Sequence, residues 1–133
     1  MKLEAELVPK PLWRKYLANM LSRDEWKRLR AQRIREKGES CEICGQKGRV
    51  HLHEIWKYDD ESYVQRLVGF QLLCDNCHSI KHFGRTQTLA AECKLDLRPI
   101  IIHFCKVNNC TPEDLKDHWK SVFDVWKERS QHQ

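Results

Sequence analysis

Two Cys-x-x-Cys pairs constrain this chain more than any other feature of its sequence. The first pair is Cys41 and Cys44, followed by Gly45, and the second pair is Cys74 and Cys77. A tight turn of this spacing presents two thiolates to one ion, and zinc binds four such ligands tetrahedrally at about 2.3 Å. Two disulfides or two buried apolar cysteine pairs are the alternatives, but two such knuckles rarely arise by packing alone. The four cysteines therefore predict a structural Zn²⁺ that joins two distant parts of the chain.

The composition favours a metal over disulfides. At 133 residues the chain can bury only a modest core, so a bound metal would add useful stability. No apolar run approaches the roughly 20 residues of a membrane helix, and Glu4 and Glu6 do not fit the apolar core of a signal peptide. We expect a reducing, cytoplasmic location and no membrane partner, because thiolates remain available for zinc in such a compartment.

Basic residues outnumber acidic ones by 24 to 19, which gives a formal net charge of +5. Many of them fall within residues 14–37, a stretch with helical character. Such a cluster can follow the phosphates of a nucleic acid, and a solvated helix face explains it equally well. The charge pattern permits nucleic-acid binding without establishing it.

Hydrophobic periodicity predicts helices on both sides of a short hairpin. A helix is expected around residues 12–21 and a second from Arg23 to Lys37, where Ser22 and Glu25 have the form of a capping box. Strands are expected at residues 49–56 and 70–73, with a turn at 58–62 between them. Later helices are expected after Cys77, at 86–95, at 99–107 (where a buried strand is the alternative), and after the Thr111-Pro112 start signal.

These elements predict an α+β protein in three parts. Residues 1–40 form a basic helical extension, residues 41–85 form the metal-binding core, and residues 86–133 form a helical region that packs on this core.

The histidines are placed where they can meet near the knuckles. His53 and its neighbour Glu54 lie near the end of the first predicted strand. His78 and His82 are four residues apart, so on a helix they lie on one face, a turn apart, as two imidazoles sharing a metal must.

In this combination the chain resembles the HNH nuclease superfamily, in its zinc-containing four-cysteine form. The resemblance covers residues 41–82 and rests on the two knuckles, on the pair His53-Glu54, and on the run Leu73-Cys74-x-x-Cys77-His78-x-x-Lys81-His82. A looser similarity to bacterial HNH-like proteins extends over most of the chain. It rests on His53-Glu54-x-Trp56-x-Tyr58-Asp59, Val64-Gln65-Arg66-Leu67, Lys81-His82-x-Gly84-Arg85 and Val107-Asn108.

The resemblance implies a ββα-metal fold and hydrolysis of phosphodiester bonds in DNA. In the family one divalent ion holds the scissile phosphate, and a strand residue accepts a proton from the attacking water. By position, His53, His78 and His82 would hold a catalytic Mg²⁺, Mn²⁺, Ni²⁺ or Zn²⁺, while Glu54 stands where the family usually has its base histidine. Lys81 and Arg85 flank the helix histidines and are the best candidates for phosphate contacts, although a solvated face explains their positions equally well.

Two departures from the family leave the roles open. Gly69 stands where the family usually has an asparagine, and Glu54 is a weaker base than histidine. In a second register His53 is the base, and Glu54, Asp59 or His51 helps to hold the metal. Strand alternation puts His53 and Glu54 on opposite faces, so a bulge or strand end would be needed to aim both at one ion.

The same sequence is compatible with other functions. A catalytically inactive, zinc-stapled adaptor for nucleic acid or protein is the main alternative, and a zinc-stabilised protein that docks through its tryptophan-rich helices is another. No arrangement of base-reading residues is visible, so little sequence specificity is expected. Some cysteines and histidines are expected only to pack or to lie at the surface: Cys93, Cys105, Cys110, His103, His118 and His132. Trp56 and Tyr58 could stack on a base, but packing over the zinc site is favoured.

Overall fold

The computed structural model describes residues 1–7 and 21–131. The described residues form an α+β structure with one two-stranded antiparallel sheet and five helices. The elements in chain order are α1 (Arg23–Lys37), β1 (His51–Asp59), β2 (Val64–Leu73), α2 (Asp75–Lys81), α3 (Phe83–Ala91), α4 (Arg98–Asn108) and α5 (Pro112–Ser130). The helix predicted around residues 12–21 lies almost wholly outside the described residues.

Helix α1 has the predicted bounds. The Ser22 hydroxyl accepts a hydrogen bond from the Glu25 backbone, and the Glu25 side chain accepts one from the Ser22 backbone, which completes the capping box. The helix ends at Gly38, whose φ of 85° lies where glycine is favoured. Trp26 and Leu29 on α1 pack against one face of the hairpin.

The hairpin is longer than predicted. Strand β2 begins at Val64 rather than at residue 70. The sequence pattern missed the outer half of this strand because that half alternates between exposed and half-buried positions and has no continuous apolar run. His53 pairs with Gln71 and Ile55 with Gly69. The register then shifts by one residue on β2, so the bulge lies beyond Glu54 and not at it.

Hydrogen bonds donated by backbone N–H groups form each cysteine knuckle. Cys41 N–H donates to Gln46 O at 2.9 Å, and Gly45 N–H donates to Cys41 O at 2.9 Å, with Gly45 at a φ of 81°. Cys74 caps the N-terminus of α2, where its sulfur accepts from Cys77 N–H at 3.5 Å. The second knuckle therefore forms the start of the helix that carries His78.

The two last helices follow their sequence signals. The segment predicted as either helix or buried strand is helix α4, and Thr111 completes a capping box at the start of α5. The apolar stripe of α5 is buried only at its start, where Leu115 joins the core, whereas Phe123 is 39% exposed. The weakly predicted helix at 86–95 is α3, which begins and ends earlier. Among the described residues no helix is long and apolar enough to cross a membrane.

Residues 1–7, which we call the leading segment, contribute Leu3 and Ala5 to the core. Leu3 is fully buried among the residues around α2 and α4, and Ala5 is almost fully buried. The described leading segment forms no helix, although the N-terminal extension was expected to be helical. It is held instead by hydrogen bonds to the C-terminal helices, a pairing that no local sequence pattern encodes.

Candidate metal centres

The four predicted cysteines lie together and could hold a structural metal ion. The sulfurs of Cys41, Cys44, Cys74 and Cys77 all lie within 4.8 Å of one another. Cys44 Sγ and Cys74 Sγ are 3.6 Å apart, close to the roughly 3.8 Å expected for two sulfurs bound tetrahedrally at about 2.3 Å from one ion. None of these cysteines forms a disulfide.

The ionisation of these thiols fits a cation between them. A hydrogen bond from Cys77 lowers the pKa of Cys41 to about 4, whereas burial raises the pKa of Cys74 to about 11. The pKa of Cys77 is also raised, first by its hydrogen bond with Cys41 and then by burial. One thiolate therefore suppresses the ionisation of its neighbours, and a bound dication would remove that opposition.

His103 is a neighbour of this cluster that the sequence analysis missed. It comes from α4, and its Nε2 lies 3.1 Å from the sulfur of Cys77. Burial lowers the pKa of His103, which favours the neutral imidazole. A ring N–H at this distance can donate to a thiolate and reduce its negative charge. No sequence pattern predicts this contact, because His103 has no partner at ligand spacing along the chain.

The second group of possible ligands is His53, His78 and His82. One ring nitrogen from each lies within 4.8 Å of the other two. Ring centroids are 5.7 Å apart for His53 and His78, 5.2 Å for His53 and His82, and 4.6 Å for His78 and His82. Imidazoles that share an ion at about 2.0 Å from their nitrogens have centroids roughly 5 Å apart. The three histidines therefore have the spacing of a shared metal site.

Two elements and a helix junction position the three rings. His53 comes from the buried inner half of β1 and His78 from α2. His82 is the residue between α2 and α3, but its N–H still donates to His78 O at 3.1 Å, so the one-turn relation survives. His78 and His82 are therefore one helical turn apart, as predicted, but His82 lies just beyond the end of α2 at Lys81.

His78 and His82 are suited to bind a metal because their imidazoles are neutral. Burial lowers the pKa of His78 to about 3, with further lowering from the charge on His82. Burial likewise lowers the pKa of His82 to about 4. Both rings therefore have a lone pair free of a proton at neutral pH, as a metal ligand requires.

His51 and Asp59 have other contacts. The His51 ring stacks on His78 at a centroid distance of 4.9 Å, and its Nε2 hydrogen-bonds Asp75. A carboxylate oxygen of Asp59 accepts from the N–H groups of Glu61 and Ser62 in the hairpin turn. Neither residue joins the three-histidine group in this geometry.

Glu54 is buried beside the cluster but has different contacts. Strand alternation places it on the opposite face of β1 from His53, and its Oε2 accepts a hydrogen bond from Trp56 Nε1 at 2.7 Å. Its charge nevertheless acts on His82, whose pKa it raises slightly against the dominant effect of burial. Trp56 thus holds Glu54, and Tyr58 lies under the guanidinium of Arg129 at 4.6 Å; both had been expected to pack over the cysteine site.

Glu6 of the leading segment contacts the histidine cluster, and no sequence motif predicts this contact. Its Oε2 lies 3.1 Å from His53 Nε2, and its Oε1 accepts from Lys81 Nζ at 3.1 Å. Burial alone would raise the pKa of Glu6, but the hydrogen bond to His53 and the charge of Lys81 outweigh it and hold the pKa below its ordinary value. Lys81 is buried, and its ammonium is paired with Glu6. Its contact with phosphate stays a prediction.

Basic side chains border the histidine cluster along one groove. The basic groove residues outside the cluster include Lys27, Arg30, Arg49, Arg85 and Arg129. Arg30 donates to Val50 O at 2.9 Å, and Arg129 is paired with Asp60. Lys27, Arg49 and Arg85 are exposed in the same groove. Arg85, predicted as a phosphate contact, therefore lies beside the cluster on α3.

Comparison of the chain with models of protein families, with curated proteins and with solved structures finds no match. The two clusters are therefore the features of the chain that bear on its function.

Proposed function

We propose that this protein is an HNH-like, metal-dependent endonuclease that hydrolyses phosphodiester bonds in DNA with little sequence specificity. The observation that carries the proposal is the convergence of His53, His78 and His82, with one nitrogen of each within 4.8 Å of the others. Three protein ligands leave a coordination position open, which distinguishes a catalytic site from a structural one. The cysteine cluster, with its four sulfurs and no open position, would bind structural Zn²⁺.

The order of elements supports the same assignment. A cysteine knuckle, a hairpin, a second knuckle and a helix follow one another, and the histidines lie on β1 and at the two ends of the helical turn after Cys77. This is the order that the resemblance to the zinc-containing HNH form implies, and it supports a ββα-metal core.

The divalent ion would supply Lewis acidity, offsetting charge on the bound phosphate and stabilising the leaving oxygen. The chain itself supplies neutral imidazoles and a basic groove that can orient a phosphodiester backbone. Because His53 lies in the ligand group, we assign proton acceptance to Glu54, which faces away from His53 on β1 but whose charge still acts on His82. Its carboxylate is buried one residue away and is oriented by Trp56.

Plasmid nicking tests this function. Supercoiled DNA with the protein and Mg²⁺, Mn²⁺ or Ni²⁺ should be nicked, and His53→Ala or His82→Ala should slow nicking about 100-fold or more, as loss of transition-state charge stabilisation does. His51→Ala is the matched control, because this ring stacks on His78 but lies outside the ligand group. It should keep most of the activity. Unchanged melting and zinc content in each variant would show that the fold is intact.

The outcomes separate the remaining assignments. The Glu54→Gln variant should no longer nick DNA but should still bind the divalent ion at the histidine cluster. The His53→Ala variant should neither nick DNA nor bind this ion. If His51→Ala abolishes metal binding and His53→Ala does not, the roles follow the second register, with His53 as the base.

An inactive adaptor is the second candidate, and one observation favours it. The strand position expected to hold a base histidine carries Glu54, whose carboxylate accepts the indole N–H of Trp56 at 2.7 Å. Binding of DNA without cleavage under any of the three metals would support this adaptor and refute the nuclease.

A further inference from the structure

Hydrogen bonds of the leading segment hold the backbone of Glu6 in place. The backbone of Leu3 exchanges two hydrogen bonds with the side chain of Asn108, both at 2.8 Å. Glu6 N–H donates to Lys81 O at 3.2 Å, at the end of α2. Lys81 is the residue immediately before His82, so Glu6 is fixed beside the histidine cluster.

Both carboxylate oxygens of Glu6 have a nitrogen partner. Its Oε1 accepts a hydrogen bond from Lys81 Nζ at 3.1 Å, and its Oε2 lies 3.1 Å from His53 Nε2. The side chains of His53 and Lys81 are only 5% and 10% exposed. Two buried side chains therefore fix the orientation of this carboxylate, and the ammonium of Lys81 balances its charge.

The contact with Glu6 determines which nitrogen of His53 can bind a metal. Glu6 forms an ion pair with Lys81 and is therefore a carboxylate, which only accepts hydrogen bonds. The nitrogen that faces this carboxylate, Nε2 of His53, must then carry a hydrogen. A neutral imidazole has hydrogen on one nitrogen and a lone pair on the other, so the lone pair of His53 lies on Nδ1.

We propose that Glu6 is a positioning residue of the histidine cluster, which holds the Nε2 hydrogen of His53 and so makes Nδ1 the nitrogen that binds the divalent ion. The inference rests on the metal-binding part of the proposed function and extends it to the choice of ligand atom. Metal-bound histidines usually donate their other ring N–H to a carboxylate, a carbonyl or water, which fixes the ring and makes it a stronger ligand. Lys81 keeps the carboxylate turned towards His53 by holding its second oxygen.

The number of protein ligands stays at three in this arrangement. The ligand group contains one nitrogen from each of His53, His78 and His82, and Glu6 acts on this group through its hydrogen bond with His53. The ion therefore keeps an open position for water or phosphate, as the proposed hydrolysis requires. If Glu6 and Nε2 of His53 both bound the ion, that nitrogen would carry no hydrogen. The two arrangements thus differ in the tautomer of a single ring.

Nitrogen NMR of the whole chain, with its histidines labelled, measures this tautomer directly. Correlation of ring hydrogens with ring nitrogens distinguishes a nitrogen that carries hydrogen from one that binds a metal. The protein is measured with Zn²⁺ at both clusters, because Zn²⁺ is diamagnetic, and the His53 signals are assigned by their absence from His53→Ala. We expect hydrogen on Nε2 and metal on Nδ1. Metal on Nε2 would overturn the inference and leave the metal site standing, whereas absence of metal from the nitrogens of all three histidines would overturn both.

Two substitutions of Glu6 test whether its hydrogen bond supports metal binding. Glu6→Gln and Glu6→Ala both remove one negative charge, but only glutamine keeps an oxygen that can accept a hydrogen bond from His53. Calorimetric titration with Co²⁺, on protein that retains its structural zinc, measures the affinity of the histidine cluster. Glu6→Ala should weaken this affinity about 10–100-fold, the usual cost of losing such a partner, and Glu6→Gln should weaken it less than about tenfold.

Glu4→Gln is the matched control for the change of charge. Glu4 is exposed and lies two residues earlier in the leading segment, so this variant should keep the wild-type affinity. Equal affinities in wild type and Glu6→Ala would overturn the inference. An equal loss in Glu6→Ala and Glu6→Gln would also overturn it, because charge or direct ligation would then explain the effect. Both results leave the three-histidine site standing, and the tautomer measured on wild type decides the question if Glu6→Ala folds poorly.

Discussion

The cysteine cluster and the histidine cluster share α2 but differ in how they are built. The cysteine ligands come from two local turns, and three of the four are buried. The histidine ligands come from β1 and α2 and from the junction after α2, and the cluster borders a groove with exposed basic residues. A closed set of soft ligands fits a structural ion, and an open set of imidazoles fits a reactive one. Stability should therefore depend mainly on the first cluster and activity mainly on the second.

The strongest test of this difference is Cys74→Ser. Cys74 supplies a zinc ligand and caps α2; serine can still cap the helix but is a poor zinc ligand, so the variant should release zinc and destabilise the helix that carries His78 through loss of the metal. Structural zinc stabilises small domains by many kcal/mol, so we expect the melting temperature to fall by more than about 10 °C. Zinc content and thermal melting measure both effects.

Cys93→Ser controls for the loss of a thiol. Cys93 is exposed and lies outside the cluster, so this variant should melt within about 2 °C of wild type. Unchanged melting and zinc content in Cys74→Ser would show that the cysteine cluster does not hold the fold together.

The two clusters also differ in how far the sequence predicts them. The cysteine ligands could be identified from spacing alone, because each knuckle is a local turn. Helix α1 was predicted to the residue, since Ser22, Glu25 and Gly38 act within a few positions of one another. The histidine set was identified through the resemblance, and its convergence depends on packing of β1 against α2, which spacing does not determine.

Two important contacts that the sequence did not predict are made between distant parts of the chain. Glu6 meets His53 and Lys81 across the core, and His103 meets Cys77 from α4. Neither Glu6 nor His103 has a partner at a characteristic spacing, so only the tertiary structure brings them to the clusters. The position of Val64 at the start of β2 was missed for another reason: the outer hairpin is half exposed and lacks an apolar run.

His103→Ala sharpens the comparison on the cysteine side. If the imidazole donates to the sulfur of Cys77, its removal should weaken zinc binding about 10–100-fold, the usual cost of losing a supporting partner. Competition for zinc with a chromogenic chelator measures the change. Ile102→Ala, at a neighbouring position that is 66% exposed, should leave zinc affinity unaltered. Equal zinc affinity in both variants would mean that His103 only packs against the cluster.

The smallest expected effect concerns the hydrogen bonds that attach the leading segment. This segment carries Glu6, which contacts the histidine cluster and not the cysteine cluster. His118 accepts the Ala5 N–H, so it contributes to stability as a neutral ring. Burial lowers the pKa of His118 below its ordinary value, with the charge of Lys81 acting in the same direction and that of Glu4 against it. In acid the unfolded chain therefore takes up this proton more readily than the folded one. The contribution is complete above the unfolded pKa of about 6.5 and is lost as pH falls towards the lower folded value.

His118→Gln isolates this contribution, because the glutamine side-chain oxygen can still accept the Ala5 N–H but does not titrate. The free energy of unfolding, measured in urea between about pH 7 and pH 5, should fall more steeply in wild type than in His118→Gln. The difference should be on the order of 1 kcal/mol or less, since one unit of pKa corresponds to about 1.4 kcal/mol. Loss of the Phe104 ring contact lowers the stability of the variant at every pH and leaves the slope unaffected. Equal dependence of the unfolding free energy on pH in the two proteins would show that protonation of His118 does not loosen the leading segment. Neither cluster would then depend on the protonation state of His118.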